Sequence, residues 1–139
     1  MKKFKFLEHT ADAKMQAFGS TLEEAFKNAA LGMFNVMVDT SKIKQNIRHE
    51  IKIESENEES LLYDFLEQLL FYVDSKGFLL SEVLDLKINK NDKYRLTADF
   101  IGDNYSDQDV HTYIKAVTYS EMFIKKEKGK YIIQVVFDI

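Results

Sequence analysis

The 139-residue chain contains no cysteine and no proline, and its five glycines, Gly19, Gly32, Gly77, Gly102 and Gly129, stand far apart. Without cysteine, disulfides, thiolate metal sites, iron–sulfur clusters and cysteine nucleophiles are excluded, and the fold rests on packing alone. Without clustered glycines there is neither a P-loop nor a dinucleotide fingerprint, because both cradle phosphate with closely spaced glycines. The three histidines, His9, His49 and His111, are scattered. They form no H-E-x-x-H motif, and no G-x-S-x-G elbow occurs, which disfavours zinc hydrolysis and serine hydrolase chemistry.

Long hydrophobic runs are also missing. The most apolar stretch, Leu61 to Val73, is interrupted by Asp64, Glu67 and Gln68, far short of the ~20 apolar residues a membrane span needs. The start, Met1-Lys2-Lys3-Phe4-Lys5-Phe6, is basic like a signal n-region, but Glu8, His9 and Asp12 interrupt it before an apolar region forms. A cytoplasmic protein with no membrane partner is expected. Positive charge is in short supply, with 19 Lys+Arg against 23 Asp+Glu and a net charge of −4, whereas nucleic-acid binders present a basic stripe. Only Lys125-Lys126-Glu127-Lys128-Gly129-Lys130 is locally basic. It reads as a hairpin turn with solvated lysines, a common dressing of exposed sheet edges. Tight direct nucleic-acid binding is not expected.

With 45% hydrophobic and 30% charged residues the composition is that of an ordinary globular protein. A chain of about 150 residues buries roughly 68–70% of the surface it exposes when unfolded, enough for one good core. No repeat, linker or low-complexity segment divides it, so residues 1–139 are read as one domain.

Lys3 to Glu8 and Ala13 to Phe18 read as strands flanking His9-Thr10-Ala11-Asp12. Ser20 and Thr21 each precede a glutamate by three, Glu23 and Glu24, the signature of a capping box. Leu22, Ala25, Phe26, Ala29, Met33, Phe34 and Met37 then trace one helical stripe to about Val38. Ile47, Ile51 and Ile53 predict another strand. The acidic stretch Glu54 to Glu59 favours a second helix start, Leu62, Phe65, Leu66, Leu69 and Val73 give its stripe, and Gly77 stops it. From Phe78 onward the period becomes two. Leu84, Leu86 and Ile88, a turn at Asn89 to Asp92, and Tyr94, Leu96, Ala98 and Phe100 predict a hairpin. Tyr113 to Lys125 and Tyr131 to Phe137 follow, joined by the lysine turn. The pattern is α+β: a single domain with a mostly antiparallel or mixed sheet of about seven strands, ordered β-β-α-β-α and then a meander, with two amphipathic helices on one face.

Three segments are candidates for chemistry. The loop Asp99 to Asp109 is acidic but no EF-hand: counted from Asp103, Gln108 stands where glycine belongs and Ile114 where the bidentate glutamate belongs. It reads as a solvated connection. His9-Thr10-Ala11-Asp12 places two ionisable groups between apolar strands, where function concentrates, and equally permits a plain Asx turn. The final Phe137-Asp138-Ile139 sets a side-chain carboxylate beside the α-carboxylate. Chain ends commonly fray, yet Ile132 to Phe137 is apolar enough to pin this one in a sheet, and two adjoining carboxylates repel unless a cation joins them.

Four separated segments, Phe6-Leu7-Glu8-His9-Thr10-Ala11-Asp12, Thr21-Leu22-Glu23-Glu24-Ala25-Phe26 with Asn28-Ala29-Ala30, Lys115-Ala116-Val117-Thr118-Tyr119, and Val135-Val136-Phe137-Asp138-Ile139, resemble the archease family in order and position across the whole chain. That resemblance implies an auxiliary factor without stand-alone catalysis. Its partner would be an RtcB-type RNA ligase of tRNA splicing and RNA repair, whose active-site histidine it helps to guanylylate from GTP for repeated turnover. The resemblance further implies a divalent metal ion held by Asp12, Asp138 and the terminal carboxylate of Ile139. An all-oxygen anionic set suits Ca, Mg or Mn. His9 and Lys115 are candidates for contacting the partner or supporting the metal ligands, or for purely local bonds. Two departures stand out: the family commonly continues Val-Gly after the aspartate where this chain has Ala13-Lys14, and histidine often follows the Lys-Ala-Val-Thr-Tyr segment where this chain has Ser120. An alternative reading is a chaperone-like modulator of another tRNA-processing enzyme, such as an RNA cytosine methyltransferase. A third, a small metal-dependent phosphohydrolase built on Asp12 and Asp138, is opposed by the lack of a basic phosphate pocket in the sequence.

Overall fold

The computed structural model describes residues 2–8, 12–104 and 110–139. Among these the chain forms seven strands and two long helices: β1 (Phe4–Leu7), β2 (Asp12–Gly19), α1 (Leu22–Met37), β3 (Ile47–Ser55), α2 (Glu58–Lys76), β4 (Phe78–Lys90), β5 (Tyr94–Asn104), β6 (Ala116–Glu127) and β7 (Lys130–Asp138). A single 3-10 turn, Thr40–Lys42, follows α1.

Local chemistry explains each boundary. Thr21 caps α1 by accepting a hydrogen bond from the Glu24 amide, and Glu24 in turn accepts from the Ser20 amide at 2.8 Å. The reciprocal bond of the box thus falls one residue ahead of the cap. Asn57 caps α2 in a full capping box with Ser60, with Glu58 and Glu59 in the first turn facing the positive end of the dipole. Gly77 closes the helix with φ of 62°, a left-handed conformation that an L side chain resists. The β6–β7 turn carries left-handed φ at Lys128 (51°) and Gly129 (78°), as a two-residue hairpin turn of the primed type requires.

All strand pairs are antiparallel, and they divide between two sheets, one ordered β1-β2-β7-β6 and the other β3-β5-β4. β4–β5 and β6–β7 are the expected hairpins, but β5 and β6 lie in different sheets, so the final four strands are no continuous meander. The α+β class, the strand and helix counts and the antiparallel pairing agree with the sequence reading. The division into two sheets is what the pattern alone did not contain.

Both helices touch both sheets. α1 packs on β1, β2 and β7 and reaches β4, while α2 packs on β3, β4, β5 and β6. The core between them holds Met15, Ala17, Ile133, Val135 and Phe137 from one sheet, Ile51, Leu96, Ala98 and Phe100 from the other, and the predicted stripes of both helices. One strand face departs from simple alternation. Register shifts between Leu80 and Glu82 and between Val83 and Asp85 turn Val83 and Leu86 inward, leaving Leu84 at 36% exposure, so Leu84 does not share the core face with Leu86. The acidic loop is also shorter than expected: Asp99 to Asn104 belong to β5, with Asp99 bound to Arg48 at 2.7 Å, and residues 105–109 lie outside the described set.

Candidate functional site

The site is built by one register. β2 and β7 run antiparallel without a shift, and the pairing sets Asp12 opposite Asp138, Lys14 opposite Val136 and Gln16 opposite Gln134. Alternation sends Ala13, Met15, Ala17 and their partners Phe137, Val135 and Ile133 to the core. Asp12, Lys14 and Gln16 therefore share the opposite face with Asp138, Val136 and Gln134. The Gln16 amide donates to the Gln134 carbonyl oxygen at 2.8 Å, which fixes that face directly. Directly opposed residues of an antiparallel pair sit roughly 4.5–5.5 Å apart with side chains on one side. Two residues that stand 126 positions apart in the chain are thus cross-strand neighbours.

Asp12 is half-buried, with its Oδ1 shielded from solvent, whereas Asp138 and Ile139 are exposed. On the far side of β7, β6 begins against the same end: Ala116 is opposite Asp138, and the Lys115 amide donates to the Asp138 carbonyl at 2.7 Å. Lys115 itself is exposed. Asp12, Asp138, Ile139 and Lys115 are consequently gathered at one end of the four-stranded sheet. His9 lies outside the described residues.

Like charges directly opposite each other in a ladder are unfavourable unless a cation relieves them. The facing side chains of Asp12 and Asp138 present hard carboxylate oxygens, the donor chemistry that suits a Ca, Mg or Mn ion. Among the described residues no group of three or more His, Cys, Asp or Glu side chains could hold a metal. The side chains thus supply two anionic donors, and the remaining coordination of a hard ion falls to main-chain oxygen, water or a partner's groups.

Lys14 lies beside these carboxylates, on the same face as Asp12. Its ammonium is directed to Glu121 at 3.0 Å. Glu121 stands in an irregularity of β6 between Thr118 and Phe123, has a left-handed φ of 54°, and accepts the Gln134 amide on its backbone carbonyl at 2.8 Å. No local pattern marks Glu121, because the irregularity of β6 in which it stands breaks the period-two alternation. Elsewhere on β6, the Val117 amide donates to Glu67 of α2 at 3.3 Å, and Tyr119 stacks on Tyr63 with ring centroids 4.3 Å apart. Desolvation, then the Asp64 charge and Tyr63, raise the Tyr119 hydroxyl pKa above its ordinary value.

A small α+β protein whose distinguishing locus is a pair of facing carboxylates, with no helix among the described residues long and apolar enough to cross a membrane, is the class this geometry defines. The model of the Archease protein family matches residues 4–139. Protein archease of Methanosarcina barkeri is 42% identical, with 99% of this chain and 97% of that protein covered. That of Thermococcus gammatolerans is 40% identical with full coverage of both. The solution structure of Methanobacterium thermoautotrophicum protein 1598 is similar with a TM-score of 0.87 at 39% identity, covering 100% of both chains. The crystal structure of a Thermotoga maritima archease, described as a possible chaperone, gives a TM-score of 0.63 at 23% identity over 97% of this chain and 96% of that one, a likeness of fold. The chain belongs to the archease family.

Proposed function

We propose that this archease-family chain is a protein cofactor of an RtcB-type RNA ligase, and that it promotes GTP-dependent guanylylation of the ligase histidine for multiple turnover in tRNA splicing and RNA repair. The observation that carries the reading is the register that sets Asp12 against Asp138 in a chain of this family. Asp12, Asp138 and the carboxylate of Ile139 would hold a divalent ion, Ca, Mg or Mn, which supplies a hard Lewis acid able to orient phosphate oxygens. The protein's own part is to fix the two carboxylates on rigid paired strands at an exposed sheet end. Lys115, exposed beside Asp138, would contact the partner in this reading. The net charge of −4 suits a protein partner better than free RNA.

The test is ligation turnover by the cognate ligase with and without this protein. The reading predicts that the wild type converts a slow or single-turnover reaction into repeated turnover; no stimulation would sink it. The second reading, a chaperone-like modulator of another tRNA-processing enzyme such as an RNA cytosine methyltransferase, takes its support from the chaperone description of the Thermotoga maritima archease. It predicts protection of that enzyme from aggregation with no change in ligase turnover.

A further inference from the structure

We propose that the cleft between α1, the turn after it and β4 is a binding site for a small phosphorylated sugar, with Lys2, Lys3 and Lys27 holding the phosphate and Glu24 and Glu82 receiving the hydroxyls. The cleft is separate from the facing aspartates. The Lys3 carbonyl accepts the Phe18 amide at 2.9 Å, and the Asn28 side chain donates to the Phe18 carbonyl at 2.7 Å. Both bonds place the cleft beside Phe18, toward the opposite end of β2 from Asp12, roughly 20 Å along the strand at about 3.3 Å per residue.

The walls follow from local structure. The cleft measures about 840 Å³, within the roughly 300–1,000 Å³ of small-molecule sites. Glu24, Lys27, Asn28 and Leu31 recur at three- and four-residue spacing, so a single stripe of α1 forms one wall. Another wall is the irregular stretch of β4. Ser81, Glu82 and Val83 are consecutive yet all line the cleft, which a regular strand forbids because successive side chains alternate between faces. The register shift between Leu80 and Glu82 removes that alternation. The Gln45 amide consequently reaches both Ser81 Oγ at 3.2 Å and Glu82 Oε2 at 3.0 Å.

Charge decides the ligand. Ion pairs among the described residues use Lys14, Arg48, Lys52, Lys93, Arg95 and Lys125, and Lys2, Lys3 and Lys27 enter none of them. The two lining carboxylates are each engaged on one oxygen: Glu24 Oε1 accepts the Ser20 amide at 2.8 Å, and Glu82 Oε2 accepts from Gln45. Three unpaired ammoniums in one cleft call for an anion of more than one charge. A phosphate monoester carries about −1.5 to −2 at neutral pH and offers several acceptor oxygens. The same three charges oppose a metal ion, and an apolar ligand is opposed by a lining whose only apolar residues are Leu31 and Val83. The remaining oxygens of Glu24 and Glu82 accept and do not donate, so the rest of the ligand must present donors, as uncharged hydroxyls do. A phosphorylated sugar combines the two requirements. In the sequence Lys2 and Lys3 belong to a basic start that nothing joins to Lys27.

The experiment titrates the protein with ribose 5-phosphate, glucose 6-phosphate, ribose and inorganic phosphate, followed by amide NMR shifts and calorimetry. At least one of the two esters is expected to bind about tenfold more tightly than ribose or inorganic phosphate, with shifts concentrated at residues 24–31 and 81–83. Lys27→Gln and Lys3→Gln, each removing one charge-assisted bond, are expected to weaken that ester about tenfold with unchanged melting temperature. Lys87→Gln removes the same charge from an exposed position of β4 outside the cleft and is expected to leave affinity unaltered, as is Asp12→Ala. Absence of saturable binding by both esters would overturn the proposal. An equal loss in Lys27→Gln and Lys87→Gln would overturn it too, by reducing the effect to net charge, and inorganic phosphate binding as tightly as the esters would leave the glutamates without their assigned part.

Discussion

His49 shows how much one side chain's surroundings decide. It sits on β3 with ring contacts to Tyr72 at 4.6 Å, Phe78 at 5.0 Å and Phe100 at 5.7 Å. Desolvation by those rings, and then the Lys76 charge, lower its pKa below the ordinary 6.5. The unfolded chain therefore takes up this proton first on acidification. His49 contributes stability that is complete above pH ~6.5 and is lost as pH falls toward its folded pKa. Replacing it with phenylalanine is expected to flatten the decline in melting temperature between roughly pH 7 and pH 5; an identical decline in both proteins would refute the assignment. In the sequence His49 was only one of three scattered histidines. Asp12 and Asp138 stood out in the sequence because the first lies between two apolar strand segments and the second follows an apolar run, but nothing in composition or spacing reveals that they oppose each other. That follows from β7 returning between β2 and β6. Glu121 was not legible at all, since its position depends on a strand irregularity that only the fold produces.

At the scale of elements, the helices were legible because their signals are local. Apolar stripes at helical spacing, capping side chains and a terminal glycine all lie within a turn or two of what they control. Removing the Asn57 cap of α2 with alanine is expected to cost about 1 kcal/mol. Gly77→Ala, which forces a side chain into the left-handed conformation at φ of 62°, should cost a comparable or larger amount, about 1 kcal/mol or more. Denaturant unfolding of the two variants measures both effects, and midpoints equal to wild type would contradict the capping account. Strand faces were less legible. The irregularities near Val83 in β4 and between Thr118 and Phe123 in β6 break the period that sequence reading relies on, so Leu84 turns outward and the β6 edge bends over β7.

For the whole molecule, the division into two sheets depends on contacts between distant segments, which no window of sequence contains. Its consequence is that β7 lies inside the four-stranded sheet, between β2 and β6, with its last paired residue at the candidate site. Appending a short peptide to Ile139 moves the α-carboxylate away without touching the β7 core residues. It is expected to weaken calcium binding while leaving the metal-free melting temperature unchanged; unaltered affinity would remove the α-carboxylate from the ligand set. Because an ion that binds the folded state alone stabilises it by mass action, excess calcium should also raise the melting temperature of the wild type.

The central claim is that facing carboxylates on β2 and β7 serve the activation of a ligase. Its most direct test is the rate of GTP-dependent guanylylation of the cognate ligase's active-site histidine, measured with wild type, Asp12→Ala and Asp138→Ala proteins whose folding is verified by circular dichroism. The account predicts strong stimulation by the wild type and its loss in both folded variants. Equal stimulation by all three would contradict it.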